Sequence, residues 1–239
     1  MNYIGIDLGG TNVAAGVVTE KGELLGKASV PTPRGAEAVA DAIALAARQA
    51  AGAAGVPLSG IKAIGLTAPG SIDPETGVAL RVVNMDLENV PLCNMVSRRL
   101  DLPALLENDA NAAALGEYVA GAGWGHKSLV AVTLGTGVGA GAVLDGKLFT
   151  GFNYAGMEAG HTVIRRGGRQ CNCGRKGCWE TYASATGLIL STREAMALHP
   201  ESALWQLAPA SDRVSGRTAF DAAQTGDPTA REVVENYIT

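Results

Sequence analysis

The opening of the chain alternates short apolar runs with glycine-containing turns. Residues 3–8, 13–18 and 24–30 are rich in Val, Ile, Leu and Ala, which predicts a buried strand followed by two hairpin partners. Residues 36–53 combine Ala with Ile, Leu and Arg, and Gly55 and Pro57 follow. That composition and its glycine stop predict a helix.

The remainder of the chain continues to alternate strand and helix patterns. The predicted elements are a strand at 61–66, a Pro/Gly-punctuated loop at 67–81, a helix at 91–100, a strand at 104–107, a helix at 109–120, a hairpin at 129–134 and 140–144, and helices from 185–197 to residue 239. This order predicts an α/β fold in which the second hairpin repeats the opening motif. A boundary in the glycine-rich stretch 121–125 gives two expected domains, 1–121 and 122–239.

Composition and charge narrow the function classes. The 239 residues include 19 Lys and Arg against 23 Asp and Glu, a net charge of −4. An acidic chain without a basic run is not expected to bind nucleic acid or an anionic membrane. No stretch approaches the roughly 20 apolar residues of a membrane span, and the start lacks the positive region of a signal peptide. A cytoplasmic protein is therefore expected.

The first glycine turn, Asp7-Leu8-Gly9-Gly10-Thr11, lies between the first two predicted strands. Its backbone amides can face a phosphate, and the Thr11 hydroxyl adds a donor. Asp7 at the strand end can hold Mg²⁺, directly or through water. A plain β-hairpin turn uses the same residue types, so this motif alone leaves both interpretations open.

A second glycine run, Gly135 to Gly141, follows the strand predicted at 129–134. It lacks the Gly-Lys-Ser/Thr of a Walker A loop, and a strand-like run follows it where a dinucleotide-binding motif has a helix. It therefore resembles the first turn, and two such turns could hold a polyphosphate together.

Polar residues also cluster where the strand at 104–107 passes into a helix, in the run Glu107-Asn108-Asp109-Ala110-Asn111. Asp and Asn are favoured helix N-caps, but capping explains one residue and not the whole run. A carboxylate at Asp109 could accept a proton from a hydroxyl that attacks a phosphoryl group, while Asn108 orients that substrate.

A cysteine-rich segment offers a metal site. His161, Cys171, Cys173 and Cys178 have the spacing His-x9-Cys-x-Cys-x4-Cys, which supplies one imidazole and three thiolates, a tetrahedral structural zinc set. The alternative is a disulfide with a free thiol, which a reducing compartment disfavours. Cys93 lies outside this cluster and receives no role.

Two carboxylates flank the cysteine-rich segment. One nitrogen of His161 can bind zinc while the other reaches a substrate hydroxyl. Glu158 and Glu180 lie on either side and can accept hydrogen bonds from further hydroxyls, although a lone surface Glu is ordinarily just a solvated charge.

These motifs together resemble the ROK family (repressors, open reading frames, kinases) of the actin-like sugar-kinase superfamily, and within it the bacterial glucokinases. The resemblance extends from residue 2 to about residue 187 and depends on Asp7-Leu-Gly-Gly-Thr11, Leu106-Glu-Asn-Asp109, Gly135-Thr-Gly-Val-Gly139, Glu158-Ala-Gly-His161 and Cys171-x-Cys-x4-Cys178-x-Glu180. It implies an α/β, actin-like (ribonuclease H-like) ATPase fold of two lobes with a cleft between them.

The resemblance also implies an activity, the transfer of the ATP γ-phosphoryl group to the 6-hydroxyl of a hexose, first of all glucose. Asp109 would be the general base. The sugar-binding residues implied are Asn84, Asn108, Asp109, Glu158, His161 and Glu180, and the nucleotide-binding ones are Asp7, Gly9, Gly10, Thr11, Thr136 and Gly137. Mg²⁺ would lie near Asp7, a structural Zn²⁺ on His161 and the three cysteines, and the protein would be a homodimer.

One departure from the family concerns the C-terminal part. Family members continue with another glycine-rich segment near the adenosine and a final helix, and neither is found between Ala185 and Thr239. The C-terminal lobe is therefore expected to be truncated, with ATP binding and kinase activity weakened more than sugar binding.

Two alternative functions remain open on sequence grounds. The same polar set would suit fructose, mannose, allose or an N-acetylhexosamine. A sugar-responsive regulator without kinase activity belongs to another class. Its DNA-binding form is disfavoured by the acidic charge and by a phosphate motif that already begins at Asp7.

Overall fold

The computed structural model describes all residues, 1–239, and its internal contacts divide them into two compact units. Unit 1 comprises Met1–Ala131 and Gly141–Gly156, and unit 2 comprises Val132–Ala140 and Met157–Thr239. The chain thus passes between the units more than once. The domain boundary expected at residue 121 stays a prediction.

Strands dominate the first part of the chain and helices the last. The strands are β1 (Asn2–Leu8), β2 (Asn12–Thr19), β3 (Leu24–Pro31), β4 (Ile61–Ala68), β5 (Ser71–Asp73), β6 (Val78–Val82), β7 (Leu87–Val90), β8 (Ala104–Asn108), β9 (Leu129–Leu134), β10 (Val138–Leu144) and β11 (Lys147–Leu148). The helices are α1 (Ala36–Ala54), α2 (Leu92–Leu100), α3 (Asp109–Ala120), α4 (Glu180–Ala183), α5 (Ala185–Leu198), α6 (Leu204–Leu207), α7 (Thr218–Gln224) and α8 (Pro228–Ile238).

The main sheet of unit 1 has the strand order β3-β2-β1-β4-β8. β1 is antiparallel to β2 and parallel to β4, which is in turn parallel to β8. Ile4, Ile6 and Leu8 alternate into the core, where the alanine-rich face of α1 packs. Because β1, β4 and β8 run in one direction, their carboxyl ends meet at one edge, and the candidate residues of this unit lie there.

The prediction of a loop at 67–81 is wrong in part. β4 extends to Ala68, and β5, β6 and β7 form a separate antiparallel sheet in that order. These strands are three to five residues long, too short for a clear alternation, and Pro74 and Gly77 interrupt the pattern between them. Ile72, Ala79 and Val82 in these strands are buried, and their burial depends on tertiary packing.

The second strand of the second hairpin begins earlier than its predicted start at residue 140. β10 starts at Val138, inside the glycine run, and is the central strand of the sheet β11-β10-β9. Glycine is needed at Gly141, because a Cβ there would lie 2.7 Å from the Ala110 carbonyl oxygen and 3.0 Å from the Asn111 Cα. The glycine run therefore serves helix packing as well as the turn.

The helices predicted for the C-terminal part are confirmed. Two of them have side-chain N-caps: Ser184 Oγ accepts from the Gly187 N–H at 3.0 Å, and Asp227 Oδ1 accepts from the Ala230 N–H at 2.7 Å. The apolar core of this region includes Leu188, Met196 and Leu204. No helix of the structure is both long enough and apolar enough to cross a membrane.

Candidate active site

The transition from β8 to α3 presents Asp109 at the first position of the helix. Asn108 is the N-cap, and its Oδ1 accepts from the backbone N–H groups of Ala110 at 3.0 Å and Asn111 at 3.2 Å. Asp109 Oδ1 accepts from the Ala110 N–H at 2.8 Å. The capping role thus falls on Asn108, and the Asp109 carboxylate keeps acceptor capacity for a substrate.

The environment of Asp109 raises the pKa of its carboxyl group. Desolvation raises the pKa of its carboxyl above the ordinary value, and the negative charge of Asp7 raises it further, while the Ala110 N–H opposes the rise. The residue still has solvent access. A carboxylate with a raised pKa is a stronger base once ionised, which is what proton abstraction from a hydroxyl requires.

The first glycine turn combines free backbone donors with a carboxylate. Thr32 fixes the turn, since its hydroxyl donates to the Gly9 carbonyl at 2.7 Å and its N–H to the Thr11 carbonyl at 2.9 Å. The Gly9 N–H donates to the Asn12 carbonyl at 3.1 Å, whereas the N–H groups of Gly10 and Thr11 have no protein acceptor. Two free amides in a fixed turn form a suitable cradle for an anion.

Asp7 and Asn84 complete the candidate residues of unit 1. Asp7 Oδ1 accepts from the Thr67 hydroxyl at 2.8 Å. Asn84 is exposed in a short 3₁₀ turn at Val83–Met85. Its Nδ2 lies 3.9 Å from the position that a Cβ on Gly10 would take. The structure therefore brings Asn84 next to the glycine turn, although it is distant from it in sequence.

The second glycine turn, in unit 2, is anchored to the start of α5. Within the turn, the Gly135 N–H donates to the Gly137 carbonyl at 3.0 Å. Two bonds come from α5: the Ala185 N–H donates to the Gly135 carbonyl at 2.9 Å, and the Thr186 hydroxyl donates to the Thr136 carbonyl at 2.7 Å. A Cβ on Gly137 would lie 2.8 Å from Glu180 Oε2. Glycine is thus required for the turn to approach Glu180.

Beside this turn lies a cavity of about 280 Å³. Its walls include Thr136, Gly137, Glu180, Thr186 and Leu190. It therefore places predicted nucleotide-binding residues and a predicted sugar-binding carboxylate around one space. A larger cavity of about 540 Å³, between α5 and α8, contains none of the predicted site residues.

The four predicted zinc ligands converge in unit 2. The donor atoms of His161, Cys171, Cys173 and Cys178 all lie within 4.8 Å of one another. Cys171 Sγ is 3.6 Å from His161 Nδ1, and Cys173 Sγ is 3.6 Å from Cys178 Sγ. Tetrahedral bonds of about 2.3 Å to sulfur and 2.1 Å to nitrogen separate the ligand atoms by roughly 3.6–3.8 Å. The donor set therefore fits zinc in chemistry and in spacing.

All four cysteines are free thiols, so the alternative of a disulfide is absent from the structure. The backbone and guanidinium of Arg175 lower the pKa of the Cys173 thiol to about 6. The lower pKa favours the thiolate at Cys173, the form that binds metal, whereas desolvation raises the pKa of the Cys171 and Cys178 thiols.

His161 has different surroundings at its two ring nitrogens. Nδ1 faces Cys171 and lies 3.4 Å from Glu180 Oε1, whereas Nε2 lies 4.0 Å from Glu158 Oε2. A metal bound at Nδ1 would leave Nε2 available, and the neighbouring carboxylates can accept from hydroxyl groups.

The predicted residues fall into two groups. Unit 1 holds the first group, which consists of Asp7, Gly9, Gly10, Thr11, Asn84, Asn108 and Asp109, and unit 2 holds the second, Thr136, Gly137, Glu158, His161, Glu180, Cys171, Cys173 and Cys178. Sequence analysis assigned no role to Thr67, Glu107 or Asn111. Thr67 and Glu107 join the site through strand register, since Asp7 pairs with Thr67 and Thr67 with Glu107, and no local sequence signal marks this pairing.

Residues 3–239 match the ROK family, and the chain belongs to it. The glucokinase of Thermotoga maritima is 40% identical over 241 residues, which cover 100% of this chain and 74% of that protein. The N-acetylmannosamine kinase of Yersinia pseudotuberculosis is 35% identical over 237 residues, covering 97% of this chain and 72% of that protein.

A solved structure confirms the expected fold. The ROK family glucokinase from Streptomyces griseus, in complex with glucose and AMPPNP, is 39% identical and superimposes with a TM-score of 0.83. The match covers 99% of this chain and 75% of that protein. The α/β fold of the ROK kinases, predicted from the motifs, is therefore the fold of this chain.

Proposed function

We propose that this protein is an ATP-dependent glucokinase that forms glucose 6-phosphate. The observation that carries the proposal is the Asp109 carboxylate, which lies at a helix start, has a pKa raised by desolvation and by the charge of Asp7, and leaves the capping of the helix to Asn108. The glucokinases that share 40% identity with the whole chain support the choice of glucose.

The residues of unit 1 would carry the chemical step. Asp109 accepts the proton of the sugar 6-hydroxyl while that oxygen forms a bond to the γ-phosphorus, the bond from this phosphorus to the bridging oxygen breaks, and ADP leaves. Asn84 and Asn108 would donate to or accept from sugar hydroxyls. The free amides of Gly10 and Thr11 would hold phosphate oxygens.

The residues of unit 2 would orient substrates. Glu158, His161 and Glu180 would bind sugar hydroxyls, while Thr136 and Gly137 would hold phosphates of ATP. Positioning of this kind supplies much of the rate in phosphoryl transfer.

Two metal ions would support these roles. Asp7, a strand-end carboxylate with an adjoining hydroxyl, suits Mg²⁺, which proteins bind through one or two carboxylates together with substrate phosphates and which offsets their negative charge. Zn²⁺ on His161, Cys171, Cys173 and Cys178 would fix the segment that carries His161 and Glu180. Homodimer formation stays a prediction, which light scattering can check.

The direct test is a phosphorylation panel with ATP and Mg²⁺. Glucose, mannose, fructose, allose, N-acetylmannosamine and N-acetylglucosamine are compared by kcat/KM, and glucose is expected to rank first. The 35% identity to an N-acetylmannosamine kinase makes that sugar the strongest competitor. Another sugar ranking above glucose would reassign the substrate. Glucose binding with no phosphorylation of any sugar, although an ATP analogue binds, would support the non-catalytic regulator instead.

The acid limb of the pH profile should report Asp109. Its pKa is raised, so the base becomes protonated, and kcat/KM falls, at a pH above the ordinary Asp value of about 3.9. A carboxyl-carbon NMR titration of the nucleotide-free protein measures this pKa directly. Asp7→Asn removes a neighbouring negative charge and should lower the Asp109 pKa. An unchanged pKa in that variant would contradict the assigned coupling.

A further inference from the structure

Glu107 and Asn111 flank Asp109, and the proposed chemistry gives them no task. One oxygen of Glu107, Oε1, accepts from the backbone N–H of Asn108 at 2.8 Å and from Asn111 Nδ2 at 3.1 Å. This carboxylate therefore links the end of β8 to the first turn of α3, and Asp109 and Ala110 lie between the two linked positions.

Strand register places Glu107 in the same row as Asp7. Asp7 pairs with Thr67 in the parallel neighbour β4, and Thr67 pairs with Glu107 in β8. Side chains in register on neighbouring strands lie on one face of a sheet. The Glu107–Asn111 pair is thus built into the sheet edge that carries the candidate catalytic carboxylates.

The presence of asparagine at position 111 is not explained by a contribution to folding stability. It is only 3% exposed, and its Oδ1 has no hydrogen-bond partner. A buried acceptor without a partner disfavours folding. The surrounding helix positions, 110 and 112–114, are all alanine. The orientation of the amide is set by Glu107, because a reversed amide would place its oxygen against a carboxylate oxygen.

We propose that Glu107 and Asn111 are positioning residues for phosphoryl transfer: their hydrogen bond holds the first turn of α3 so that the Asp109 carboxylate points toward the sugar hydroxyl. This inference rests on the proposed kinase function. Gly141 restricts the same turn from another side, since a Cβ there would already approach the Asn111 Cα to 3.0 Å. The turn is therefore held at both its strand end and its packing face.

Asn111→Ala separates positioning from stability. The unfolding midpoint should change little, because removal of the unpartnered Oδ1 offsets the loss of the Nδ2 hydrogen bond to Glu107. The kcat should fall by roughly 10- to 100-fold, the loss typical of a displaced catalytic group. The glucose KM should change by less than about threefold, since the interaction acts on the transition state rather than on binding.

Glu107 supplies the conservative comparison. Glu107→Ala should reproduce the kcat loss, and Glu107→Gln should recover roughly tenfold of it, because an amide oxygen can accept both hydrogen bonds. In the double variant Glu107→Ala/Asn111→Ala the losses should not add, as expected for two residues that act through one bond. Asp101→Asn, in the same unit but outside the site, is the matched control with unchanged kcat.

Amide hydrogen exchange provides a readout independent of activity. The N–H groups of residues 110 and 111 should exchange roughly tenfold faster in both alanine variants than in wild type. The inference is overturned if exchange is unchanged, if both alanine variants keep kcat within about twofold of wild type, or if kcat and stability fall in parallel with no recovery in Glu107→Gln. A wild-type protein that phosphorylates no sugar would refute the kinase function separately, and exchange would still decide whether the pair holds the turn.

Discussion

Replacing Asp109 by asparagine is expected to lower kcat for glucose phosphorylation by roughly 100- to 10,000-fold, the range that general base catalysis contributes. The amide preserves the shape of the side chain but accepts no proton. Glucose affinity, measured by calorimetry, should stay within about threefold, because most hydrogen bonds to the sugar are retained.

The fold should tolerate this change. Asn108 and not Asp109 supplies the N-cap of α3, so the helix keeps its side-chain cap. Losing a negative charge at a helix start costs about 0.3–1 kcal/mol, and relief of the desolvation and of the Asp7 repulsion, which together raise the Asp109 pKa, offsets this cost. Asp101→Asn makes the same chemical change at the C-cap of α2 and should leave kcat unaltered. Near-native turnover in Asp109→Asn would reduce Asp109 to a helix-start residue without a catalytic role.

Replacing Cys173 by serine is expected to remove the metal. The wild-type protein should contain about one equivalent of zinc per chain by elemental analysis, and the variant markedly less, since a neutral hydroxyl is a poor substitute for a thiolate. The glucose dissociation constant should rise by roughly 10- to 100-fold, because the segment that orients His161 and Glu180 loses its anchor.

Cys93→Ser is the matched control for this experiment. Cys93 is buried in the core of unit 1, where desolvation raises the pKa of its thiol to about 11. Its replacement should lower stability somewhat and leave zinc content unchanged. A metal-free wild-type protein that binds glucose with full affinity would show that the four-residue cluster is not a functional metal site.

Local pattern was sufficient for most elements of this protein. The composition of residues 36–53 and the glycine that follows predicted α1, which ends at Ala54 with Gly55 in a left-handed conformation. The alanine-rich segment 109–120 predicted α3 at its observed bounds. These elements depend on propensity, capping and burial of one face, all of which are encoded within a few neighbouring residues.

Local sequence pattern did not predict strands that are too short to show an alternation of apolar and polar residues. β5, β6 and β7 form only because each strand pairs with another and buries single residues such as Ile72 and Val82. The start of β10 was misplaced because Val138 and Gly139 were interpreted as part of the glycine turn. Close packing of α3 against Gly141 is visible only in three dimensions.

For the candidate site, too, some features follow from the sequence and others only from the tertiary structure. Sequence by itself determined which chemistry is present, since carboxylate, glycine turns and His/Cys spacing are properties of residue type and order. Tertiary structure decided which side chains influence one another: the charge of Asp7 raises the Asp109 pKa, Asn84 lies next to Gly10, and Asn111 donates a hydrogen bond to Glu107. The physical reason is that parallel strand register and helix docking bring residues together across long separations, and no local pattern specifies that register.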